Sequence, residues 1–340
     1  MATPPLEEIQ ELLRLHQPGQ SDHAALAALT TTDLEAALHT IDPYAQYFAA
    51  TDYAAVDRGQ TGIGAALVIR PDYVELVPYQ GGALRAAGTP ERVMLQAIDG
   101  LTVTPDMDRE DIARRLRGAE GTRVALQLAT LDQQDQWTVE VVRQAYRLRD
   151  VEVYQWEHYR ILRVHYFVTG LTRSALRASS NEVTTAQTLV IDLRDATGGD
   201  LHEAFDSAAL FLPQGAPLGE LHRYNAPVDS FKVYSDPPLS MKLVIVVGAD
   251  TASAAEIFAG VLQHHERAVV VGQPTFGKCS TQTDIRLSNG AVLRLTNGQV
   301  LLPNATPCPV GGLIPDIVIP EADLVALRTL LPHITDVLPP

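Results

Sequence analysis

Cysteine is scarce in this 340-residue sequence, which contains only Cys279 and Cys308. Two cysteines are too few for the disulfide framework of a small secreted domain, and too few for a structural zinc site built on thiolates. The sequence leaves open whether these two cysteines form one disulfide or remain free thiols. Stability must therefore come mainly from a hydrophobic core, which a composition of 46% hydrophobic and 20% charged residues allows.

Clusters of positive charge are also missing. The net charge is −15 at pH 7, and no run of Lys and Arg occurs. Nucleic-acid binding draws its affinity from such clusters, so we expect no nucleic-acid partner. The glycine-rich patterns of nucleotide sites are absent as well. The ten histidines fall into no metal-binding spacing such as HExxH, and we expect neither a metal nor a cofactor.

Long apolar runs are the third absence. No stretch reaches the roughly 18 consecutive apolar residues that span a bilayer. The first residues lack the order of a signal peptide, which is a basic segment, then an apolar one, then small residues. We expect either a protein that is not exported or one from which a signal has been removed.

The patterns that are present divide the chain into segments. Residues 1–58 show helical spacing, residues 59–145 show short strands between turn signals with two helices, residues 146–325 show an α/β pattern, and residues 326–340 form a tail. In the third segment the apolar runs 188–193, 243–247 and 268–271 are continuous, which is typical of parallel strands buried on both faces. Asn289-Gly290 predicts a hairpin with a type I′ turn.

Two polar residues stand at the ends of buried strands. Ser253 follows the strand 243–247 and precedes an apolar helix, so its hydroxyl lies beside the N–H groups of a helix N-terminus. Taken alone, it fits a helix cap at least as well as a nucleophile. Lys278 follows the strand 268–271 in an apolar context, where burial would lower its pKa and make it a usable base. Taken alone, it fits an exposed turn lysine.

Gly198-Gly199, after the strand 188–193, could bring a backbone N–H close to a substrate.

Together these segments resemble the carboxyl-terminal processing proteases, also called tail-specific proteases. That family has a "SASAxE" turn and a "TFGKGxxQ" segment, and here residues 251–256 read TASAAE and residues 275–282 read TFGKCSTQ. The separation of 25 residues between Ser253 and Lys278 (278 − 253 = 25) also matches the family. Asp42-Pro43-Tyr44 is similar to its N-terminal motif, and residues 312–316 are similar to its "GIxPD".

The resemblance implies a role for each matched residue. Ser253 would be the nucleophile and Lys278 the general base, with Gln282 orienting the lysine amine. The backbone N–H groups of Gly199 and Ala254 would form the oxyanion hole. The core would have the fold of the ClpP and crotonase proteins.

The resemblance also extends to the β-rich segment, which is similar to a PDZ domain. Its carboxylate-binding loop would be Gly62-Ile63-Gly64. The expected activity is a serine endopeptidase that cuts proteins near their carboxyl termini and recognises apolar C-terminal tails. An activating or adaptor protein is a further expected partner. The expected location is the periplasm or cell envelope if a signal peptide was removed, and a cytoplasmic location stays open.

Two alternatives stay open at this point. The first is a catalytically silent scaffold that binds peptide tails without cutting them. It would have no reason to retain Ser253, Lys278 and Gln282 together. The second is an unrelated α/β hydrolase acting on small esters, but the G-x-S-x-G pattern is absent around Ser253.

Overall fold

We describe a computed structural model of the chain. It describes residues 4–16, 29–30, 34–50, 61–79, 82–90, 92–107, 109–145, 151–181, 188–224, 226–234, 237–309, 311–320 and 331. The helices in these ranges are α1 (Leu6–His16), α2 (Leu34–Ile41), α3 (Ala83–Ala86), α4 (Arg109–Leu116), α5 (Thr172–Asn181), α6 (Leu201–Ala209) and α7 (Ala254–His264). None of them is long and apolar enough to cross a membrane.

The strands in the same ranges are β1 (Gln46–Phe48), β2 (Thr61–Gly62), β3 (Ala65–Ile69), β4 (Val74–Pro78), β5 (Val93–Ile98), β6 (Leu101–Thr102), β7 (Arg123–Ala129), β8 (Gln136–Val142), β9 (Gln144–Ala145), β10 (Val151–Trp156), β11 (Tyr159–Val164), β12 (Thr188–Asp192), β13 (Pro217–Arg223), β14 (Asp229–Lys232), β15 (Lys242–Val247), β16 (Val269–Gly272), β17 (Ser280–Arg286), β18 (Val292–Leu302), β19 (Thr306–Pro307) and β20 (Ile317–Val318).

The described residues form two compact units. The first is drawn from Phe48–Arg149 and Ser288–Val292, and the second from Thr3–Tyr47, Asp150–Leu287 and Leu293–Pro340. The helices α1 and α2 therefore belong to the second unit, although the sequence analysis sets residues 1–58 apart. The predicted tail, residues 326–340, lies outside the described residues except for residue 331.

A mixed sheet lies at the centre of the second unit. Its strand order is β10-β11-β12-β15-β16-β20, with β10 antiparallel to β11 and all other neighbours parallel. Every residue of β12 is buried, as is β15 after Lys242, which confirms the prediction from the continuous apolar runs. The helices α5, α6 and α7 contribute Leu176, Phe205 and Phe258 to the core of this unit. Parallel strands end at one edge of a sheet, so the segments that follow β12, β15 and β16 begin side by side.

An antiparallel sheet completes the second unit. Its order is β1-β18-β13-β14, and β17 and β19 also pair with β18. The predicted hairpin between β17 and β18 is confirmed, but the turn type is wrong. Gly290 has φ +81°, whereas Asn289 is not among the residues with positive φ, and a type I′ turn requires positive φ at both central residues. The Asn289 side chain instead accepts a hydrogen bond from Ala291 N at 3.0 Å.

The first unit is β-rich, with two helices, as the sequence predicts. Its antiparallel sheet has the order β3-β4-β5-β7-β8, with β6 paired to β5, and β2 and β9 form a separate ladder. Its core includes Leu76, Leu95 and Leu126 from the sheet and Ile112 from α4. The strand β3 lies at the edge of the sheet, with β4 as its neighbour. Such an edge can accept a further strand.

Candidate active site

The predicted nucleophile lies in the connection between β15 and α7. The helix begins at Ala254, directly after Ser253. Ser253 has φ 56° and ψ −124°, a conformation that costs a non-glycine residue on the order of 1–3 kcal/mol. Hydrogen bonds from Ala252 N to Ala196 O (2.9 Å) and from Ser253 N to Glu256 Oε2 (2.8 Å) hold this turn. Strained residues of this kind cluster at active sites.

Thr251 anchors the same turn to the sheet. Its hydroxyl is buried, donates to Leu193 O at 2.8 Å and accepts from Gly248 N at 2.9 Å. A serine hydroxyl could make the same two bonds. The family's SASAxE turn has a serine at this position. Because Thr251 can make the same two hydrogen bonds, the replacement keeps the turn that carries Ser253 in place.

The Gly198-Gly199 turn lies against Ser253. A methyl group at Gly198 would lie 2.8 Å from Ser253 Cβ and 3.2 Å from its Oγ. A methyl group at Gly199 would lie 2.2 Å from Phe167 O, and both glycines have φ above +110°. Space and backbone conformation therefore both require glycine here.

Two backbone N–H groups next to the nucleophile are left without an acceptor. Within the described residues, neither Gly199 N nor Ala254 N donates a hydrogen bond. Ala254 is the first residue of α7, where the intrahelical partner is missing by geometry. Unpaired N–H groups at a helix N-terminus favour a negative charge beside them. These are the two groups that the sequence resemblance implies as oxyanion donors.

Lys278 lies in the segment that follows β16. The backbone of this segment is bonded to the nucleophile turn, because Phe276 N donates to Thr251 O at 2.9 Å. Lys278 and Ser253 line one cavity of about 820 Å³, although no hydrogen bond joins their side chains within the described residues. Catalytic hydrogen bonds are often long in the absence of substrate, so this geometry does not exclude the pair. The structure therefore brings both predicted residues to one site.

The environment of the Lys278 amine favours its neutral form. Nζ lies 4.8 Å from the centre of the Tyr44 ring. Burial, and then the charge of Arg294, lower the pKa of Lys278 below its ordinary value of 10.5, and this outweighs the opposing charges of Asp42 and Glu256. Burial also raises the pKa of the Tyr44 hydroxyl, which therefore stays protonated near neutral pH.

Glu256 connects the nucleophile turn to the lysine segment. It is 2% exposed, and its Oε2 accepts from Ser253 N and Lys278 N, both at 2.8 Å. Its Oε1 accepts from Gly277 N at 2.7 Å and from the Thr275 hydroxyl. One carboxylate thus fixes the backbone of both predicted catalytic residues. In the sequence, a serine followed three residues later by a glutamate is the pattern of a capping box. That pattern predicts the bond from Glu256 to Ser253 N, but not the bonds to the lysine segment.

We expect the Glu256→Gln variant to lose both stability and activity. The amide would turn an NH2 group toward two of the four donors, and hydrogen bonds to a charged acceptor contribute about 1.5–3 kcal/mol each. The free energy of unfolding should fall by about 2–4 kcal/mol in urea denaturation, and proteolysis should fall with it. The exposed Glu266→Gln substitution is the matched control. Unchanged stability of Glu256→Gln would show that this carboxylate does not hold the site together.

Gln282 lines the same cavity, but the nitrogen of its amide bonds to another residue. Its Nε2 donates to Ser280 Oγ at 2.9 Å, and within the described residues it makes no hydrogen bond to Lys278. Its implied role in orienting the lysine stays a prediction.

The two cysteines form a disulfide. Cys279 is bonded to Cys308, with their Cα atoms 6.1 Å apart. The bridge follows Lys278 directly, and Cys279 O accepts from Val300 N on β18 at 2.8 Å. The alternative of two free thiols is therefore wrong. The bridge fixes the chain next to the predicted base.

Buried ion pairs support the loop that carries the glycines. Asp192 accepts from Arg194 Nε at 2.8 Å and Nη2 at 2.7 Å, and Arg163 pairs with Asp195. Burial alone would raise the pKa of Asp192, but the charges of Arg194 and Arg163 hold it below its ordinary range. The carboxylate therefore stays charged at neutral pH. No pattern in the sequence predicts these ion pairs.

The predicted carboxylate loop lies in the first unit. Ile63 O accepts from Leu84 N at 2.7 Å and Gly64 O accepts from Tyr79 N at 2.9 Å. The N–H groups of Ile63 and Gly64 have no acceptor among the described residues. Gly64 has φ +70° and its added methyl group would lie 2.6 Å from Gly82 Cα, so it must be glycine. The loop leads directly into the edge strand β3.

The described ranges hold no cluster of three or more His, Cys, Asp or Glu side chains that could bind a metal ion. The pair His264-His265, at the end of α7, bonds to Asn304 and to Pro217 O instead.

Comparisons with known proteins find similarity to a family of peptidases. Residues 159–319 match peptidase family S41. The carboxyl-terminal-processing protease of Picosynechococcus sp. is 28% identical over 292 residues, covering 82% of this chain and 70% of that protein. The one of Synechocystis sp. is 28% identical over 307 residues, covering 86% and 71%.

Solved structures show the same fold. The photosystem II D1 C-terminal processing protease superposes with a TM-score of 0.68 at 20% identity, covering 93% of this chain and 92% of that one. A putative S41 protease from Bacteroides fragilis superposes with a TM-score of 0.60 at 15% identity, covering 94% and 91%. A serine peptidase domain of family S41 therefore spans residues 159–319, and the chain is homologous over most of its length to the carboxyl-terminal-processing proteases.

Proposed function

We propose that this protein is an endopeptidase that cuts substrates near their carboxyl termini, with Ser253 as nucleophile and Lys278 as general base. The observation that carries the proposal is the convergence on one cavity of a strained serine, a lysine with a lowered pKa and two N–H groups without acceptors. Each of these features alone has an ordinary structural explanation. Their combination is what acyl transfer requires.

The chemistry follows from the positions of these groups. Neutral Lys278 Nζ accepts the proton of Ser253 Oγ while the oxygen attacks the carbonyl carbon of the scissile bond. The N–H groups of Gly199 and Ala254 donate to the oxygen that becomes negatively charged. The Lys278 ammonium then protonates the leaving amine, and an ester on Ser253 remains. Water, deprotonated by Lys278, hydrolyses that ester and restores the enzyme.

Gln282 orients Lys278 in this proposal. Its side chain already lines the cavity, and its amide oxygen is available to accept a hydrogen bond from the lysine amine. A hydrogen bond of this kind would favour one rotamer of a flexible four-carbon side chain.

The first unit supplies recognition of the substrate tail in this proposal. The N–H groups of Ile63 and Gly64, which meet no acceptor in the described part of the chain, can hold a terminal carboxylate, and the edge strand β3 that follows can pair with the tail as an added strand. The strand β3, into which the loop continues, has the apolar sequence Ala65–Ile69. An apolar C-terminal sequence is therefore the expected ligand.

A pair of matched peptides tests this function. Both share one body, and one ends in three apolar residues while the other ends in three aspartates. We expect the apolar tail to be cut with a kcat/KM at least about tenfold higher, mainly through KM, and C-terminal amidation to remove the advantage. Mass spectrometry of the products locates the cut. Equal rates would contradict tail recognition but not proteolysis, whereas binding without cleavage of any substrate would favour the silent scaffold.

We further propose that the protein works in an oxidising compartment such as the periplasm or cell envelope. The Cys279–Cys308 disulfide supports this, because such bridges persist outside the reducing cytosol. Fractionation of the native host, followed by thiol labelling of the protein, tests the proposal. Recovery in the cytosol with both thiols reduced would contradict it.

A further inference from the structure

Strand β18 brings a cation to the lysine side of the active-site cavity. Arg294 lines the cavity together with Lys278 and Ser253. Its guanidinium is held by Asp284 on the paired strand β17, with Nε and Nη2 at 2.7 and 2.8 Å from the two carboxylate oxygens. Two parallel hydrogen bonds fix the orientation of the planar group. Catalysis as proposed gives this arginine no role.

The other ionisable groups that act on the Lys278 amine come from two places. Glu256 approaches from α7, and Asp42 and Tyr44 from the segment after α2. Asp42 is 2% exposed and accepts from Thr296 N (2.7 Å), Thr296 Oγ1 (2.9 Å) and Tyr44 N (3.0 Å). Both carboxylates thus have their oxygens engaged by donors. Arg294 is the cation among the groups named here. It lowers the pKa of Lys278 by more than either carboxylate raises it.

We propose that Arg294, clamped by Asp284, is a positioning residue for the reaction, because its fixed positive charge disfavours a second positive charge on Lys278. This inference rests on the proposed role of Lys278 as base. A guanidinium suits the task since it stays charged at every working pH. Without it, the amine would be protonated over a wider range of pH, and less of the enzyme would be active near neutrality.

The sign of the effect follows from the direction of the shift. Arg294 lowers the pKa of Lys278, so its removal raises that pKa. Activity requires the neutral amine and rises as pH passes the pKa. The Arg294→Gln variant should therefore reach half of its maximal kcat/KM at higher pH than the wild type. At pH 7 its rate should fall roughly three- to tenfold, whereas its alkaline plateau should stay within about twofold of the wild type.

Two further variants separate charge from structure. Arg294→Lys keeps the charge and should retain the wild-type pH profile. Arg223→Gln removes another arginine that lines the cavity, where it pairs with Asp229, and should leave the midpoint unchanged. A uniform loss at every pH in Arg294→Gln would show a merely structural role and overturn the proposal. An unchanged midpoint, or one moved to lower pH, would overturn it as well.

A titration that needs no catalysis distinguishes failure of this inference from failure of the proposed function. The chain has three lysines, Lys232, Lys242 and Lys278, so protein labelled with carbon-13 at lysine Cε gives few signals. The Lys278→Met variant assigns the third, and the other two serve as internal references. We expect the Lys278 signal to titrate at higher pH in Arg294→Gln than in the wild type, whether or not the protein cuts peptides. If Lys278 titrates at the same pH in an active wild type and in Arg294→Gln, the proposed role of Arg294 is refuted but the proposed function is not. If no cleavage depends on Ser253, the proposed function is refuted.

Discussion

The Ser253→Ala variant should cut an unfolded protein such as casein at least about a thousandfold more slowly than the wild type. No other group can form the acyl intermediate in the proposed mechanism, and removal of a catalytic serine leaves only the contribution of the oxyanion hole and of binding. The remaining geometry should survive, because Ala252 N, Thr251 and Glu256 make bonds that hold the turn independently of the serine hydroxyl. The assay is the appearance of fragments over time.

The matched control is Ser174→Ala. Ser174 is exposed on α5, where its hydroxyl donates to Gly170 O at 2.8 Å, and it is not among the residues that line the cavity. We expect wild-type rates from this variant and an unchanged thermal midpoint from both. Cleavage by Ser253→Ala at the wild-type rate would reject this serine as nucleophile. If neither the wild type nor Ser253→Ala cuts the substrate, the silent scaffold is favoured.

The Lys278→Arg variant should be nearly as inactive as Ser253→Ala. Arginine preserves charge and approximate length, but its guanidinium cannot lose its proton at any working pH and so cannot accept one from Ser253. We expect a loss of at least about a hundredfold in kcat, with KM little changed. Initial rates measured from pH 6 to pH 10 should show no recovery at alkaline pH.

Lys242→Arg provides the control for the lysine. Lys242 is exposed at the start of β15, away from the cavity, and its replacement should leave rates unchanged. The Lys278→Met variant, which is neutral but not basic, should also be inactive. An active Lys278→Arg enzyme would show that positive charge at this position is sufficient, and it would remove the lysine from the role of base.

Local patterns in the sequence predicted the strands of the core and the position of the site. The apolar runs become β12, β15 and β16, and these parallel strands end at one edge of the sheet, where Ser253 and Lys278 follow β15 and β16. Ser253 precedes α7 as the pattern of small residues predicts. These features depend on neighbours within a few residues or on a general property of parallel sheets.

Contacts distant in the sequence could not be predicted in this way. Asp42 bonds to Thr296, which lies 254 positions later, and only the folded chain shows that this places Tyr44 against Lys278. The four hydrogen bonds of Glu256 reach across to the lysine segment for the same reason. The predicted type of the hairpin turn was wrong for a different reason. The pair Asn289-Gly290 permits a type I′ turn but does not require it.

The most direct test is covalent labelling of the wild-type enzyme with a peptidyl phosphonate ester that ends in an apolar residue, followed by mass spectrometry of the digested protein. The proposed mechanism predicts one adduct, on Ser253, whose rate of formation increases with pH as Lys278 loses its proton and falls sharply in Lys278→Met. Labelling of another residue, or labelling of Ser253 at the same rate in Lys278→Met, would contradict the proposal that this lysine activates this serine.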